Sequence, residues 1–97
     1  METLTRNGEL LSKAPGFESN TEYTPLQGQY LAFIYYYAKI HGYPPAEVDM
    51  QKYFKVSPPS VHQMVLTLEK KGLIERVPRQ ARSIRLLLPR QELPDLE

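Results

Sequence analysis

Apolar residues between Thr24 and His41 recur every three or four positions, which is the spacing of one face of an α-helix. The segment opens with Thr-Pro-Leu-Gln, where the threonine can cap the helix, the proline suits its first position and the glutamine completes a capping box. Gly42 follows as a helix stop, and the two prolines after Tyr43 prevent continuation. The pattern predicts a first helix with an apolar stripe of Leu26, Tyr30, Phe33, Ile34, Tyr37 and Ile40.

Two shorter segments keep the helical period, and an abrupt break at "KVSPPS" separates them. The first predicts a helix from Ala46 to Phe54, with apolar positions at Val48, Met50, Tyr53 and Phe54. The second predicts a helix that Ser57 caps, that tolerates two prolines in its first turn and that ends near Lys71. The buried stripe of this third helix is predicted to be Val61, Met64, Val65 and Leu68.

A short turn between two helices holds a fixed steep angle only when apolar residues occupy set positions around it. The sequence supplies such a set, with Val56 as the expected apolar plug of the turn. The set consists of Met50, Phe54, Val56, Val61 and Met64. The paired prolines restrict the backbone before the helix and sharpen the corner. The two helices are therefore predicted to form a helix-turn-helix.

The apolar period changes after Gly72 from helical spacing to alternation. This predicts strands at 73–77 and 82–88, joined by a turn at 78–81, with Ile74 and Ile84 facing inward. The fold class is thus mainly α with a small β-hairpin, a three-helix winged helix-turn-helix. The predicted organisation is a flexible N-terminal arm at 1–22, the winged helix-turn-helix domain at 23–88 and an acidic tail at 89–97, of which "LPDLE" at 93–97 is expected to be mobile.

The net charge of +1 conceals an uneven distribution along the chain. Residues 70–90 carry seven basic side chains and one acidic side chain, whereas acidic groups outnumber basic ones in 1–22 and in 91–97. A basic block this local is typical of a surface that faces a polyanion. A solvated hairpin with scattered arginines would give the same pattern, so charge alone leaves both interpretations open.

The outward side of the third helix carries hydrogen-bonding side chains in place of the usual Glu and Lys of a solvated face. Gln63 can read adenine through two hydrogen bonds, and Lys70 suits a phosphate. The predicted contacts from this face are Pro59, Ser60, His62, Gln63, Thr67 and Lys70. Leu66 shares the face and could touch a thymine methyl, pack on the arm or join a protein interface. The alternative for the whole face is simple exposure to water.

The wing carries four arginines, which we expect to contact phosphates or the minor groove. These are Arg76, Arg79, Arg82 and Arg85, and Gln80 and Ser83 near the tip can assist them. For Arg85 the alternative is a rim pair with Glu75, because facing strands bring such charges together.

Over about residues 23–88 the sequence resembles the N-terminal DNA-binding domain of LexA-type repressors. The segments that carry the resemblance are "YTPLQGQYLAFIYYYAKIHGYPPAEVDM", "SPPSVHQMVLTLEKKGLIE" and "ARSIRLL". The resemblance implies a DNA-binding regulator. Its target DNA sequence does not carry over, because the turn before Ser57 is one residue shorter than in the LexA repressor and the residues at the base-reading positions differ. It also implies that a few residues approach DNA bases, namely Ser57, Pro59, Ser60, His62 and Gln63. The family's self-cleaving protease domain has no counterpart in these residues, so we expect neither that switch nor its dimerisation surface.

Other classes of function find little support in the sequence. There is no cysteine, no metal-ligand spacing, no phosphate-cradling glycine loop and no nucleophile–base pair, so we expect no cofactor, no metal, no small-molecule ligand and no enzyme activity. The longest apolar run, 30–40, is too short for a membrane span, and a cytoplasmic, nucleoid-associated protein is expected. Double-stranded DNA is the expected partner, with a homodimer or a protein partner adding avidity. A winged-helix adaptor in a larger assembly remains the alternative.

Overall fold

The computed structural model describes residues 22–97 and contains three helices followed by a small hairpin. The helices are α1 (Pro25–His41), α2 (Glu47–Phe54) and α3 (Pro58–Lys70). The strands are β1 (Ile74–Glu75) and β2 (Arg85–Leu86), which pair antiparallel with Ile74 opposite Leu86 and Glu75 opposite Arg85. A 3₁₀ turn at Arg90–Glu92 precedes the last residues. The predicted order of three helices and a hairpin is confirmed.

Local capping chemistry fixes both ends of α1. The Gln27 N–H donates to Thr24 Oγ1 at 3.2 Å, and the Thr24 N–H donates to Gln27 Oε1 at 3.0 Å, which is a complete capping box. At the other end Gly42 has φ 82, a left-handed conformation that glycine adopts without steric cost, and its N–H reaches the Ala38 carbonyl at 2.8 Å. The predicted boundaries of α1 therefore hold.

One hydrophobic core joins the middle of α1 to α2, α3 and the hairpin. Val61, Val65 and Leu68 of α3 are completely buried, as is Met50 of α2. The remaining core side chains are Tyr30, Leu31, Phe33, Ile34, Leu73, Ile74, Ile84 and Leu93. Ile74 and Ile84 face inward as predicted. The core holds α3 by one side only, so the opposite side of that helix faces solvent.

Several apolar positions predicted to face the core are exposed instead. Leu26 and Ile40 lie near the two ends of α1, beyond the part of the helix that the other elements cover, and are 55% and 75% exposed. Val48 and Tyr53 of α2 are also largely exposed. Val56 is 38% exposed, so the prediction that it plugs the turn is wrong. Backbone hydrogen bonds close the turn, because the N–H groups of Lys55 and Val56 both donate to the Gln51 carbonyl.

The strands are much shorter than the predicted spans of 73–77 and 82–88. Toward the tip, ladder pairing stops after Glu75 and Arg85 because the Val77 N–H donates to the Ser83 hydroxyl at 3.0 Å and not to a facing backbone carbonyl. At the open end of the hairpin, one further backbone bond joins the Leu87 N–H to the carbonyl of Leu73, the residue just before β1, at 3.0 Å. The hairpin is thus a short ladder with a long, side-chain-braced tip.

The prediction that "LPDLE" at 93–97 is mobile is wrong, because this segment packs against α1. Leu93 is 8% exposed within the core, and the Tyr23 hydroxyl donates to the Glu92 carbonyl at 2.5 Å. Gln29 donates to the Asp95 carbonyl at 3.0 Å. A Cβ on Gly28 would lie 2.8 Å from a ring carbon of Tyr23, so glycine permits this close packing. The predicted flexible arm at 1–22 lies outside the described residues except for Glu22, which is exposed.

Candidate nucleic-acid interface

The corner between α2 and α3 is built so that α3 begins abruptly. Lys55 ends α2 in the left-handed region with φ 57, and Ser57 caps α3 from an extended backbone conformation. Pro58 and Pro59 occupy the first two helical positions and have no N–H to satisfy. The next N–H, that of Ser60, donates to Ser57 Oγ at 3.3 Å. No unpaired N–H therefore remains at the first three positions of α3, so an anion contact from these three residues must come from a side chain.

The two sides of α3 differ sharply in burial. Val61, Val65 and Leu68 are buried, while the predicted DNA-facing residues Ser57, Pro59, Ser60, His62, Gln63 and Lys70 are all exposed. Thr67 is half-buried, and its hydroxyl donates to the Gln63 carbonyl at 2.9 Å within the same helix. Leu66 is also half-buried. Among residues 22–97 neither the Gln63 amide nor the Lys70 ammonium group makes a side-chain hydrogen bond, so both can engage a ligand.

His62 links α3 to the start of α2. Its Nδ1 lies 3.1 Å from Glu47 Oε2 and 3.3 Å from Glu47 Oε1. Glu47 is in the first turn of α2, where its negative charge also complements the helix dipole. This contact orients the imidazole ring across the corner between the two helices.

The tip of the wing is held by one hydroxyl group. Ser83 Oγ accepts from the Val77 N–H at 3.0 Å and lies 2.8 Å from the Gln80 carbonyl and 3.1 Å from the Val77 carbonyl. Ser83 is half-buried, so its predicted role as an assisting DNA contact competes with this internal role. Arg79 and Arg82, on either side of Gln80, have φ values of 66 and 58, a region that non-glycine residues seldom adopt.

Three of the four predicted wing arginines have acidic partners within the molecule. Arg76 Nε lies 3.1 Å from Glu69 Oε1, Arg82 pairs with Asp49, and Arg85 forms the predicted rim pair with Glu75 opposite it on β1. In each pair the carboxylate competes with a DNA phosphate for the guanidinium group. Arg79 has no acidic partner in the described part of the chain, and it is exposed together with Gln80 at the tip.

A groove runs between the α2–α3 corner and the wing, and it brings part of the predicted site together. On one side the groove is lined by His62 of α3 and Glu47 of α2. On the other side it is lined by wing residues, namely Arg76, Arg79, Gln80, Arg82 and Ser83. The other predicted residues of the α3 side, and Arg85 on the strand, lie outside this groove; all of them are exposed except the half-buried Thr67. The arrangement places a hydrogen-bonding helix face next to a cationic groove, which suits base contacts flanked by phosphate contacts.

Sequence reasoning missed the supporting partners of the wing. Arg82 contacts Tyr37, Pro44 and Asp49, which are 33 to 45 residues away along the chain. The hydrogen bond to the Tyr37 hydroxyl, followed by the Coulomb attraction of Tyr37 and Asp49, raises the pKa of Arg82 above its ordinary value. No local pattern signals contacts at such separations. The single hint was the acidic pair Glu47 and Asp49 in the first turn of α2.

Within the range 22–97, no helix combines the length and the apolar character that crossing a bilayer requires. A helix-turn-helix whose second helix is exposed along one side, followed by an antiparallel hairpin, defines a winged helix-turn-helix protein.

Comparison with known proteins identifies the family. Residues 20–83 match the model of the LexA DNA binding domain. The LexA repressor of Thermosipho africanus (strain TCF52B) is 46% identical over 66 residues, which is 68% of this chain and 33% of that repressor. The LexA repressor of Thermosipho melanesiensis is 45% identical over 69 residues, which is 71% of this chain and 34% of that protein. The LexA repressor of Pseudothermotoga lettingae is 39% identical over 66 residues, with 68% and 32% covered.

The chain belongs to the LexA DNA binding domain family, as the resemblance in the sequence indicated. It spans about a third of the length of the curated relatives that it matches.

Proposed function

We propose that this chain is a sequence-specific double-stranded DNA-binding transcriptional regulator that acts as a repressor. The exposed hydrogen-bonding face of α3 beside the arginine-lined groove is the observation that carries the proposal. Membership of the LexA DNA binding domain family supports it, and so do the matched relatives, which are named repressors. The adaptor alternative is not favoured by these comparisons.

In this proposal α3 enters the major groove and the wing lies on the backbone or in the adjacent minor groove. Gln63 supplies a bidentate base contact, Ser57, Ser60 and His62 surround it, and Lys70 with Arg79 contacts phosphates. Such a regulator acts in the cytoplasm at the nucleoid. A single module of this kind buries only roughly 600–1,000 Å² of surface on DNA, so a symmetric dimer on a palindromic site or a partner protein supplies the rest of the affinity.

The test is selection of bound sequences from a random duplex pool, followed by titration of the full chain against the enriched duplex at two salt concentrations. Gln63→Ala is expected to cost about 1–3 kcal/mol of binding free energy at the selected site and to relax sequence preference there. Gln91→Ala removes another exposed glutamine, outside the groove and outside α3, and is the matched control. Failure of the pool to enrich any sequence, with binding no stronger than to random duplex, would refute specific recognition.

The selected sequence also reports symmetry. An enriched palindrome with half-sites one helical turn apart supports a symmetric dimer. An enriched single half-site, bound by one chain, would leave avidity to a partner protein.

A further inference from the structure

One guanidinium group connects the wing to three other parts of the molecule. Arg82 Nη1 lies 3.2 Å from the Tyr37 hydroxyl of α1, 3.2 Å from the Pro44 carbonyl of the α1–α2 loop and 3.1 Å from Asp49 Oδ2 of α2. The same group sits 5.0 Å from the ring centroid of Tyr43 and 5.9 Å from that of Tyr37, which adds cation–π attraction. One nitrogen of Arg82, Nη1, is therefore shared by three acceptors on α1, the α1–α2 loop and α2 before any DNA is bound.

The acidic partner of Arg82 is itself fixed. Asp49 Oδ2 also accepts from the Ala46 N–H at 2.8 Å, so the carboxylate caps the start of α2 while it holds the wing arginine. The Asp49 side chain is only 18% exposed, which limits its exchange with solvent. If Arg82 moved to a DNA phosphate, the Asp49 carboxylate would lose its cationic partner.

The backbone at Arg82 points to the same role. Arg82 has φ 58, a conformation that glycine would adopt with less strain. The residue found there is nevertheless an arginine, whose side chain contacts α1 and α2. Arg79 has a similar backbone conformation but no acidic partner in the described residues. The two arginines thus differ in what their side chains do.

We propose that Arg82 is a positioning residue, which holds the wing against α1 and α2 so that Arg79 meets the DNA backbone, and that it does not itself contact a phosphate. This inference rests on the proposed DNA-binding function. It gives Arg82 a different task from the direct wing contact predicted from sequence, and it assigns Asp49 and Tyr43 to the support of the interface.

The first test is the salt dependence of binding for Arg79→Ala, Arg82→Ala and the double variant. Each phosphate contact contributes about 0.9 to the slope of log K against log salt. Arg79→Ala is expected to lower that slope by about 0.9, and the double variant is expected to lower it no further and to bind within about twofold of Arg79→Ala. A double variant whose slope falls by about 1.8, with multiplied losses in affinity, would overturn the proposal.

Arg82→Lys separates charge from geometry. Lysine keeps the positive charge, but it loses the planar guanidinium group that lies over the Tyr43 ring while its Nη1 donates to three acceptors. The positioning role predicts that Arg82→Lys binds DNA as weakly as Arg82→Ala. Recovery of wild-type affinity and slope by lysine would show that the charge contacts DNA directly.

Asp49→Asn gives a test of opposite sign. Removal of a negative charge close to DNA strengthens binding when only Coulomb forces matter. The positioning role predicts weaker binding, because the wing loses its anchor while the asparagine oxygen still caps Ala46. Asp95→Asn is the control, since only the backbone carbonyl of Asp95 is used in a contact among residues 22–97. Tighter binding by both variants would refute the positioning role.

The motion of the wing can be measured directly. Exchange of the Val77 amide hydrogen, which is bonded to Ser83 Oγ, is expected to accelerate in Arg82→Ala by more than exchange of the core amides of α1 does. Unchanged exchange would contradict the role. If the wild-type chain shows no salt-dependent DNA binding at all, the proposed function fails, whereas the exchange result still decides whether Arg82 holds the wing.

Discussion

The start of α3 allows a prediction in which stability and DNA binding change in opposite directions. Ser57 Oγ accepts from the Ser60 N–H, and the two prolines between them have no N–H for it to satisfy. Removal of this cap by Ser57→Ala therefore leaves one donor to water. The expected cost is about 1 kcal/mol, within the roughly 0.5–2 kcal/mol measured for N-cap replacements.

For a domain of this size, about 1 kcal/mol corresponds to a fall in melting temperature of roughly 4–8 °C. Ser57→Asp restores a cap oxygen and adds a negative charge at the positive end of the helix dipole, worth about 0.3–1 kcal/mol. Ser57→Asp is therefore expected to melt at or above the wild-type temperature. Its carboxylate would face the DNA, so the same variant is expected to bind the selected duplex more weakly than wild type.

Thermal melting followed by circular dichroism measures the first effect, and titration of the selected duplex measures the second. Ser60→Ala is the control, because its exposed hydroxyl contacts only Ser57 Oγ, at 2.9 Å, and its removal should change stability by less than about 0.5 kcal/mol. An unchanged melting temperature in Ser57→Ala would refute the capping argument. Wild-type DNA affinity in Ser57→Asp would place this end of α3 away from the DNA.

Two further predictions concern the core and the segment after the wing. Leu93→Ala should lower the free energy of unfolding by about 2 kcal/mol, which is at the low end for a leucine because Leu93 packs at the edge of the core. The control Leu87→Ala, at an exposed site, should cost under about 0.5 kcal/mol. The two variants are compared by their urea midpoints at constant m-value, and equal effects would mean that the segment containing Leu93 does not pack. Burial raises the pKa of Tyr30, whose hydroxyl has no hydrogen bond to another residue in 22–97. Above about pH 10 the unfolded chain therefore loses the Tyr30 proton more readily than the folded chain, so the free energy of unfolding falls as the pH rises further. Tyr30→Phe should therefore match wild type near pH 7 and lose less stability between roughly pH 9 and 11, and parallel curves would contradict this.

The sequence predicted correctly those features that depend on residues close together along the chain. Thr24 with Gln27, Gly42, and Ser57 followed by two prolines each fix a helix end through contacts within a few residues, and those ends are where the structure has them. The exposed side of α3 followed from the helical period in the same way. Ile74 and Ile84 were identified by alternation alone.

The features that sequence missed depend on contacts between distant residues. The last segment packs through Tyr23, whose hydroxyl donates to the Glu92 carbonyl 69 residues later, and beside Gly28, where Pro94 lies close. Nothing in "LPDLE" distinguishes it from a solvated end. The exposure of Val56 follows from backbone hydrogen bonds in the turn, which have no side-chain signature. The partners of Arg82 lie on three different elements, so its intramolecular role is visible only once the fold is assembled.

Recognition of DNA by the exposed side of α3 is tested by a map of backbone amide chemical shifts of the full chain on its selected duplex. The largest changes are expected on the exposed side of α3, at Ser57 and from Ser60 to Lys70, and on the wing around Arg79 and Gln80. Small changes are expected along the segment after the wing and in the part of α1 that this segment covers. Large changes confined to α1 and that segment, with α3 unaffected, would refute recognition by α3.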